Sequence, residues 1–277
     1  MTNLSRQVKN SAIVSLFIPL IALFIVTSLQ TGCGNKLELA SQSLDRKIKV
    51  DGQHGDWEGV MTFMEKENVS VGLLNDNEFL YVCLVSGDRQ IRSQIMRLGL
   101  TLWFDPHGGK NRTFGIRFPL GLQEFGVPLG GRGNERDMER FQVLFEESLS
   151  ELEILGPDED DRFRLGVMGA RGIKVDAAIS SGTLVYELKV PLKTSERYEF
   201  AIGAEAGGVV GVGLETGEFD REMMRERMGS SRPPGGMGGR RGGGGRGGSR
   251  GGGFGGGRPE MPEPLKVWAN VQLAASN

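Results

Sequence analysis

The chain has few of the side chains from which most metal and haem sites are built. Among its 277 residues are only two histidines and two cysteines. It contains no H-E-x-x-H zinc motif, no C-x-x-C-H haem-attachment motif and no Walker phosphate loop. We therefore predict no catalytic residue, no metal site and no cofactor, and we do not expect an enzyme.

Acidic residues are absent from the first 32 positions, where Arg6 and Lys9 precede an apolar run from Ala12 to Leu29. A basic start followed by an apolar run is typical of a secretory signal peptide. The run is longer than the ~7–15 residues of most signal cores, so an uncleaved membrane anchor is the alternative. Thr31-Gly32-Cys33 ends the run and resembles the lipobox of bacterial lipoproteins.

The lipobox resemblance implies cleavage before Cys33 and attachment of a lipid to its thiol. Residues 1–32 are then the signal peptide, and residues 33–45 are predicted to be a polar tether. The expected location is the bacterial cell envelope, with the protein attached to the membrane through its lipid. Gly34 is not the aspartate that marks inner-membrane retention in many lipoproteins, which favours the outer membrane. Cys83 would have no disulfide partner and is predicted to be a buried core residue.

Short apolar runs separated by turn residues recur along the rest of the chain. We predict strands on both sides of three turns: Asn75-Asp76-Asn77, Asp105-Pro106-His107-Gly108-Gly109 and Ser180-Ser181-Gly182. Further strands are predicted within residues 198–217 and 265–274. Together they favour an all-β, antiparallel β-sandwich over residues 46–228, completed by a terminal strand within residues 262–277.

A helical pattern interrupts the strands. Between residues 136 and 155, apolar side chains recur at three- and four-residue spacing, with glutamates on the opposite face. The stripe predicts one helix that covers the sandwich. Its members are Met138, Phe141, Phe145, Leu149 and Leu152.

Residues 229–261 are predicted to be a disordered loop rich in glycine and arginine, because such a segment cannot bury enough apolar surface to offset its chain entropy. Without the leader's Arg6 and Lys9 and the loop's arginines, the remainder has a formal charge of −10, against −2 for the whole chain. An arginine loop outside the cytoplasm would meet anionic lipid or an acidic envelope polymer, and no nucleic acid; a loop without any partner is the alternative. Its arginines are Arg232, Arg240, Arg241, Arg246, Arg250 and Arg258.

Five segments in order resemble family 9 carbohydrate-binding modules and their DOMON-type relatives. They are IKVDGQHGDWEGV (48–60), NDNEFLYVCLV (75–85), LVYELKVPL (184–192), GVGLETG (211–217) and VWANVQL (267–273). The resemblance implies a β-sandwich that binds a ligand without catalysis. Family 9 modules hold sugar ends between aromatic rings, while polar side chains take the hydroxyls.

Candidate ligand-binding residues follow from that resemblance: Trp103, Trp268, Glu187 and Glu215. Trp57 is interpreted instead as a core residue. Two alternatives stay open: a structural or assembly lipoprotein that contacts proteins, and a haem-binding DOMON-type module with ligands such as His54 or His107. The acidic run of residues 158–161 is interpreted as a solvated loop, with a calcium site as the alternative.

Overall fold

The computed structural model describes residues 37–125, 143–144, 147–158, 160–218 and 263–275. Residues 38–277 group into one unit, and residues 1–37 into another, of which only Leu37 is described. The predicted signal peptide, Cys33 and the glycine/arginine-rich loop all lie outside the described residues.

The described chain forms two β-sheets that pack face to face, so the predicted β-sandwich is confirmed. The seven-stranded sheet has the order β1-β13-β12-β6-β7-β8-β9. Its strands are β1 (Leu37–Ala40), β6 (Leu100–Asp105), β7 (Phe114–Arg117), β8 (Glu151–Leu155), β9 (Arg162–Gly166), β12 (Val209–Thr216) and β13 (Lys266–Gln272). The six-stranded sheet has the order β10-β11-β5-β4-β2, with β3 also paired to β4. Its strands are β2 (Gln42–Ser43), β3 (Met61–Met64), β4 (Val69–Asn75), β5 (Phe79–Ser86), β10 (Lys174–Ser180) and β11 (Thr183–Pro191).

All three predicted turns join antiparallel neighbours, as expected from their residues. The clearest is the β4–β5 turn. Asp76 Oδ1 accepts hydrogen bonds from the backbone N–H groups of Glu78, at 2.8 Å, and Phe79, at 2.7 Å. An aspartate that bonds to its own backbone two and three residues ahead reverses the chain locally, which fixes this hairpin without help from distant residues.

Two apolar clusters hold the fold together. The larger lies between the sheets, where Leu102, Phe104 and Tyr186 are fully buried. The smaller covers the outer face of the six-stranded sheet and is built around Trp57, which is 0% exposed, as predicted. Cys83 belongs to this second cluster and is buried, as predicted; burial is the main cause that raises the pKa of its thiol. The two partly exposed tryptophans, Trp103 and Trp268, lie on the remaining face, which is the outer face of the seven-stranded sheet.

Residues 37–43 are part of the sandwich, so the prediction that the tether extends to residue 45 is wrong for this stretch. β1 pairs with β13 in one sheet, and β2 pairs with β4 in the other. Ser41 lies between them: its N–H donates to Gln272 O at 2.9 Å, and its hydroxyl donates to Asn75 Oδ1. The β2–β4 pairing is parallel, so the sandwich is not wholly antiparallel.

The helix within residues 136–155 was predicted too long. Residues 143, 144, 147 and 148 are helical, but residues 151–155 form β8, and Leu152 is buried there in the main cluster. A short apolar run can fit the period of a helix or that of a strand. Here residues 151–155 form a strand because they pair with β7 and β9. Met138, Phe141 and Phe145 lie outside the described residues.

One helix was missed. α1 (Arg89–Leu98) follows β5, and the side chain of Asp88 caps it by accepting from the backbone N–H groups of Gln90 and Ile91. Gly99, with a φ of 81°, ends it. Ile95 and Leu98 turn into the protein, so the helix covers one end of the core.

Candidate functional site

Two tryptophans lie on the outer face of the seven-stranded sheet. Trp103 in β6 and Trp268 in β13 are both paired in register with Gly213 of β12, the strand between them. Residues paired directly across neighbouring strands point to the same face, so both indoles are on the outer face. Both are partly exposed. Two strand spacings separate their backbones, about 9.6 Å.

Each indole covers a glycine of the neighbouring strand. A methyl group placed on Gly213 would lie 2.5 Å from Cε2 of Trp268, and one on Gly115 in β7 would lie 2.7 Å from Cε3 of Trp103. These distances are far below van der Waals contact, so only glycine leaves room for the rings. The Trp268 ring therefore lies over β12 and the Trp103 ring over β7, each at a point where the strand has no side chain.

Glu215 links the two tryptophans. It stands two residues after Gly213 in β12, so its side chain is on the same face. Its Oε1 accepts from the indole N–H of Trp268 at 2.9 Å, and its Oε2 forms an ion pair of 2.5 Å with Arg112 Nη2. Arg112, from the β6–β7 loop, places its Cζ 5.6 Å from the centroid of the Trp103 ring. One carboxylate thus holds one indole directly and the other through a cation–π contact.

Two open depressions flank the Arg112–Glu215 pair. Both residues line each depression, but Trp103 lines only the first, of about 240 Å³, and Trp268 only the second, of about 710 Å³. The first also includes Thr101, Glu218, Pro264 and Lys266, and the second Lys110, Asn111, Pro157 and Lys266. Each depression therefore combines one indole with cationic and carboxylate groups, and the second also has an amide.

Glu187 is not part of this site, so its prediction as a ligand-binding residue is wrong. It is 0% exposed and lies in β11 of the other sheet. Its Oε1 accepts from the Trp57 indole at 2.7 Å, and its Oε2 from the backbone N–H groups of Asp51, at 2.9 Å, and Gly52, at 2.7 Å. Those three donors engage both oxygens of the carboxylate, which attaches the segment before β3 to the sheet.

The two histidines lie apart from the site. His54 and His107 are exposed in separate turns, and Asp105 Oδ1 accepts from the backbone N–H of His107 at 3.0 Å. In the ranges that the structure describes, no three His, Cys, Asp or Glu side chains gather where they could hold a metal ion. Asp158, Asp160 and Asp161 are exposed in the β8–β9 loop; Glu159 lies outside the described residues.

A second charged cluster lies beside Trp103 on the same face. Glu153 in β8 is 1% exposed and accepts from Arg164 Nη2 at 2.8 Å and from Arg117 Nη1 at 3.2 Å. Burial pushes the pKa of Glu153 up, but the Arg164 hydrogen bond and the charges of Arg117, Arg162 and Arg164 together hold it below its ordinary value. These ion pairs join β8 to β7 through Arg117 and to β9 through Arg164, so the cluster stabilises the sheet.

Sequence reasoning missed the three cations of the site: Arg112, Lys110 and Lys266. Lys266 could have been found, because it precedes Trp268 by two residues in a predicted strand and so shares its face. Arg112 and Lys110 are in a turn, and no local pattern indicates that the Arg112 side chain reaches across Trp103 to Glu215.

Comparisons with known proteins find a likeness to a solved structure, and it is a distant one. No protein-family model matches the chain, and no curated protein matches it. One solved structure to which the chain is similar is a family 9 carbohydrate-binding module from Caldicellulosiruptor kristjanssonii in complex with glucose. The identity is 11%, the match covers 68% of this chain and 81% of that chain, and the TM-score is 0.35. A likeness of this degree carries no argument about ligand or site residues.

Membrane attachment through Cys33 and anion binding by the six loop arginines remain predictions, since those residues lie outside the described chain. None of the helices in the described ranges is long and apolar enough to span a membrane.

Proposed function

We propose that this protein is a non-catalytic module that binds a carbohydrate on the outer face of its seven-stranded sheet. The observation that carries the proposal is the pairing of Trp103 and Trp268 with the same glycine, which puts two partly exposed indoles on one open surface. The core residue Trp57 also lies over a glycine, Gly72, and donates to a carboxylate, but it is 0% exposed. Partial exposure is what distinguishes Trp103 and Trp268 from it.

Indoles suit sugars because the C–H faces of a pyranose ring pack flat on an aromatic surface. A spacing of about 9.6 Å between the two backbones fits two sugars of one chain more readily than one ring clamped from both sides. The guanidinium of Arg112 and the amide of Asn111 supply hydrogen-bonding groups that hydroxyls need, while the buried carboxylate of Glu215 holds Trp268 and Arg112 in place. The proposed site thus keeps three of the four predicted residues, Trp103, Trp268 and Glu215. Arg112 takes the place of Glu187.

The experiment is a glycan array followed by calorimetry on the sugars that bind. Trp103→Ala and Trp268→Ala should each weaken binding at least tenfold, because each removes one stacking surface. Phe163→Ala is the matched control: Phe163 is 54% exposed on β9 of the same sheet but outside the site. No glycan bound by the wild-type protein, or full binding by both tryptophan variants, would overturn the proposal.

We further propose that the module is attached to the bacterial cell envelope by a lipid on Cys33. The support comes from the sequence alone: the basic start, the apolar run and the Thr31-Gly32-Cys33 segment. A module held at the membrane and binding sugars would act on polymers of the envelope or its surroundings.

A further inference from the structure

We infer that the glycan bound at this face is acidic, and that its carboxylate or sulfate groups occupy the depression beside Trp268, where Lys110, Arg112 and Lys266 meet. The inference rests on the proposed carbohydrate binding and adds the chemical class of the ligand.

The charges around this depression are unbalanced. Its lining includes the three cations Lys110, Arg112 and Lys266 but one carboxylate, Glu215. The excess is positive on a chain whose formal net charge is −2. A local excess of one sign in a concave surface concentrates ligands of the opposite sign.

The lone carboxylate is already engaged on both oxygens. Glu215 Oε1 accepts from Trp268 and Oε2 pairs with Arg112. Lys266 is paired in register with Glu215 across the strands, yet it forms no ion pair with any residue in the described ranges, and neither does Lys110. Both ammonium groups are thus available to a ligand.

The depression beside Trp103 differs in its charge balance, and this difference favours the Trp268 side for the acidic group of the ligand. Its lining has two carboxylates, Glu215 and Glu218, against two cations, Arg112 and Lys266. A neutral sugar fits that balanced side. On the Trp268 side, a neutral sugar would cover Lys110 and Lys266 without giving either an anionic partner, whereas an anion would gain charge-assisted hydrogen bonds from both.

The test is calorimetry on the full chain with matched oligosaccharides: oligogalacturonides of defined length, the same oligomers after reduction of their carboxyl groups, and sulfated galactan oligomers. The wild-type protein should bind at least one anionic series about tenfold more tightly than the reduced one, and more weakly as salt screens the charges. Comparison of the two anionic series tells carboxylate from sulfate. Lys110→Gln with Lys266→Gln should remove the preference, while Lys47→Gln with Lys174→Gln, two exposed lysines outside the site, should not.

The glycine/arginine-rich loop is the competing source of anion binding. A variant with its six arginines changed to glutamine should keep the preference for the anionic series. Loss of the preference in that variant and not in the lysine variant would overturn the inference. Equal binding of the acidic and reduced oligomers would also overturn it while leaving the proposed function intact, whereas failure of every glycan to bind would remove both.

Discussion

Trp268 donates its indole hydrogen to Glu215 at 2.9 Å. The other sheet contains the same kind of pair, in which Trp57 donates to Glu187 at 2.7 Å. The two pairs differ in their surroundings. Glu187 and Trp57 are both 0% exposed, whereas Trp268 is partly exposed beside an open depression. The same contact therefore secures the fold in one sheet and positions an accessible ring in the other.

This difference predicts that the same substitution at the two glutamates affects stability in one case and mainly glycan binding in the other. Glu187→Ala leaves three donors without their acceptor and should cost about 3 kcal/mol or more of unfolding free energy, since each unsatisfied buried group costs about 1–3 kcal/mol. Glu215→Ala should cost less and should mainly weaken glycan binding, because it frees Trp268 and Arg112. Urea unfolding of both variants measures the first effect, and calorimetry the second. Equal losses of stability would contradict the distinction.

A single methyl group at Gly213 should impair the site. Gly213→Ala puts Cβ 2.5 Å from the Trp268 ring, so the indole must move away from the strand. We expect glycan affinity to fall several-fold and the tryptophan fluorescence spectrum to shift, with the fold retained. Gly87→Ala is the control, because a Cβ there meets nothing within 4 Å. Unchanged affinity in Gly213→Ala would show that the ring position is unimportant.

The buried ion pairs of Glu153 predict that the protein loses stability in acid. Its pKa is held below the ordinary 4.5, so its contribution is fully present above that value and declines as the pH falls through the lower folded-state pKa. Glu153→Gln should cost about 3 kcal/mol at pH 7, as for a broken buried ion pair. The difference from wild type should stay constant down to about pH 5 and shrink below 4.5.

The measurement is urea unfolding of both proteins from pH 7 to pH 3. Glu65→Gln, an exposed change in the turn after β3, should show no such convergence. A Glu153→Gln difference that stays constant across the whole range would mean that the ion pairs around Glu153 do not set the acid limit.

The proposed anchor predicts lipid labelling that depends on one thiol. Wild-type protein expressed in a bacterium should incorporate a fatty-acid probe, and Cys33→Ala should abolish the label and leave the leader uncleaved. Cys83→Ala is the matched cysteine control and should label normally, since Cys83 is buried in the sandwich. Equal labelling of Cys33→Ala would rule out the anchor.

The hairpins could be predicted because their signals are local: Asp76 reverses the chain through bonds to residues 78 and 79. α1 also had local signals, in the Asp88 cap and in apolar residues at positions 91, 95 and 98. These signals come directly after the apolar run of β5, and the helix was missed. The site could not be predicted in full. Trp103 and Trp268 are both paired with Gly213 only because β6, β12 and β13, which are far apart in sequence, align in one register. No local pattern specifies that register.

If the proposed lipid anchor on Cys33 exists, the entry of the chain into the sandwich at residues 37–43 would limit the distance between the module and the membrane. If Cys33 carries a lipid, only Gly34, Asn35 and Lys36 separate it from the first strand. Four residue steps span at most ~14 Å even when fully extended. A linker this short would keep the module next to the lipid headgroups, so it could bind only polymer segments that reach the bilayer surface.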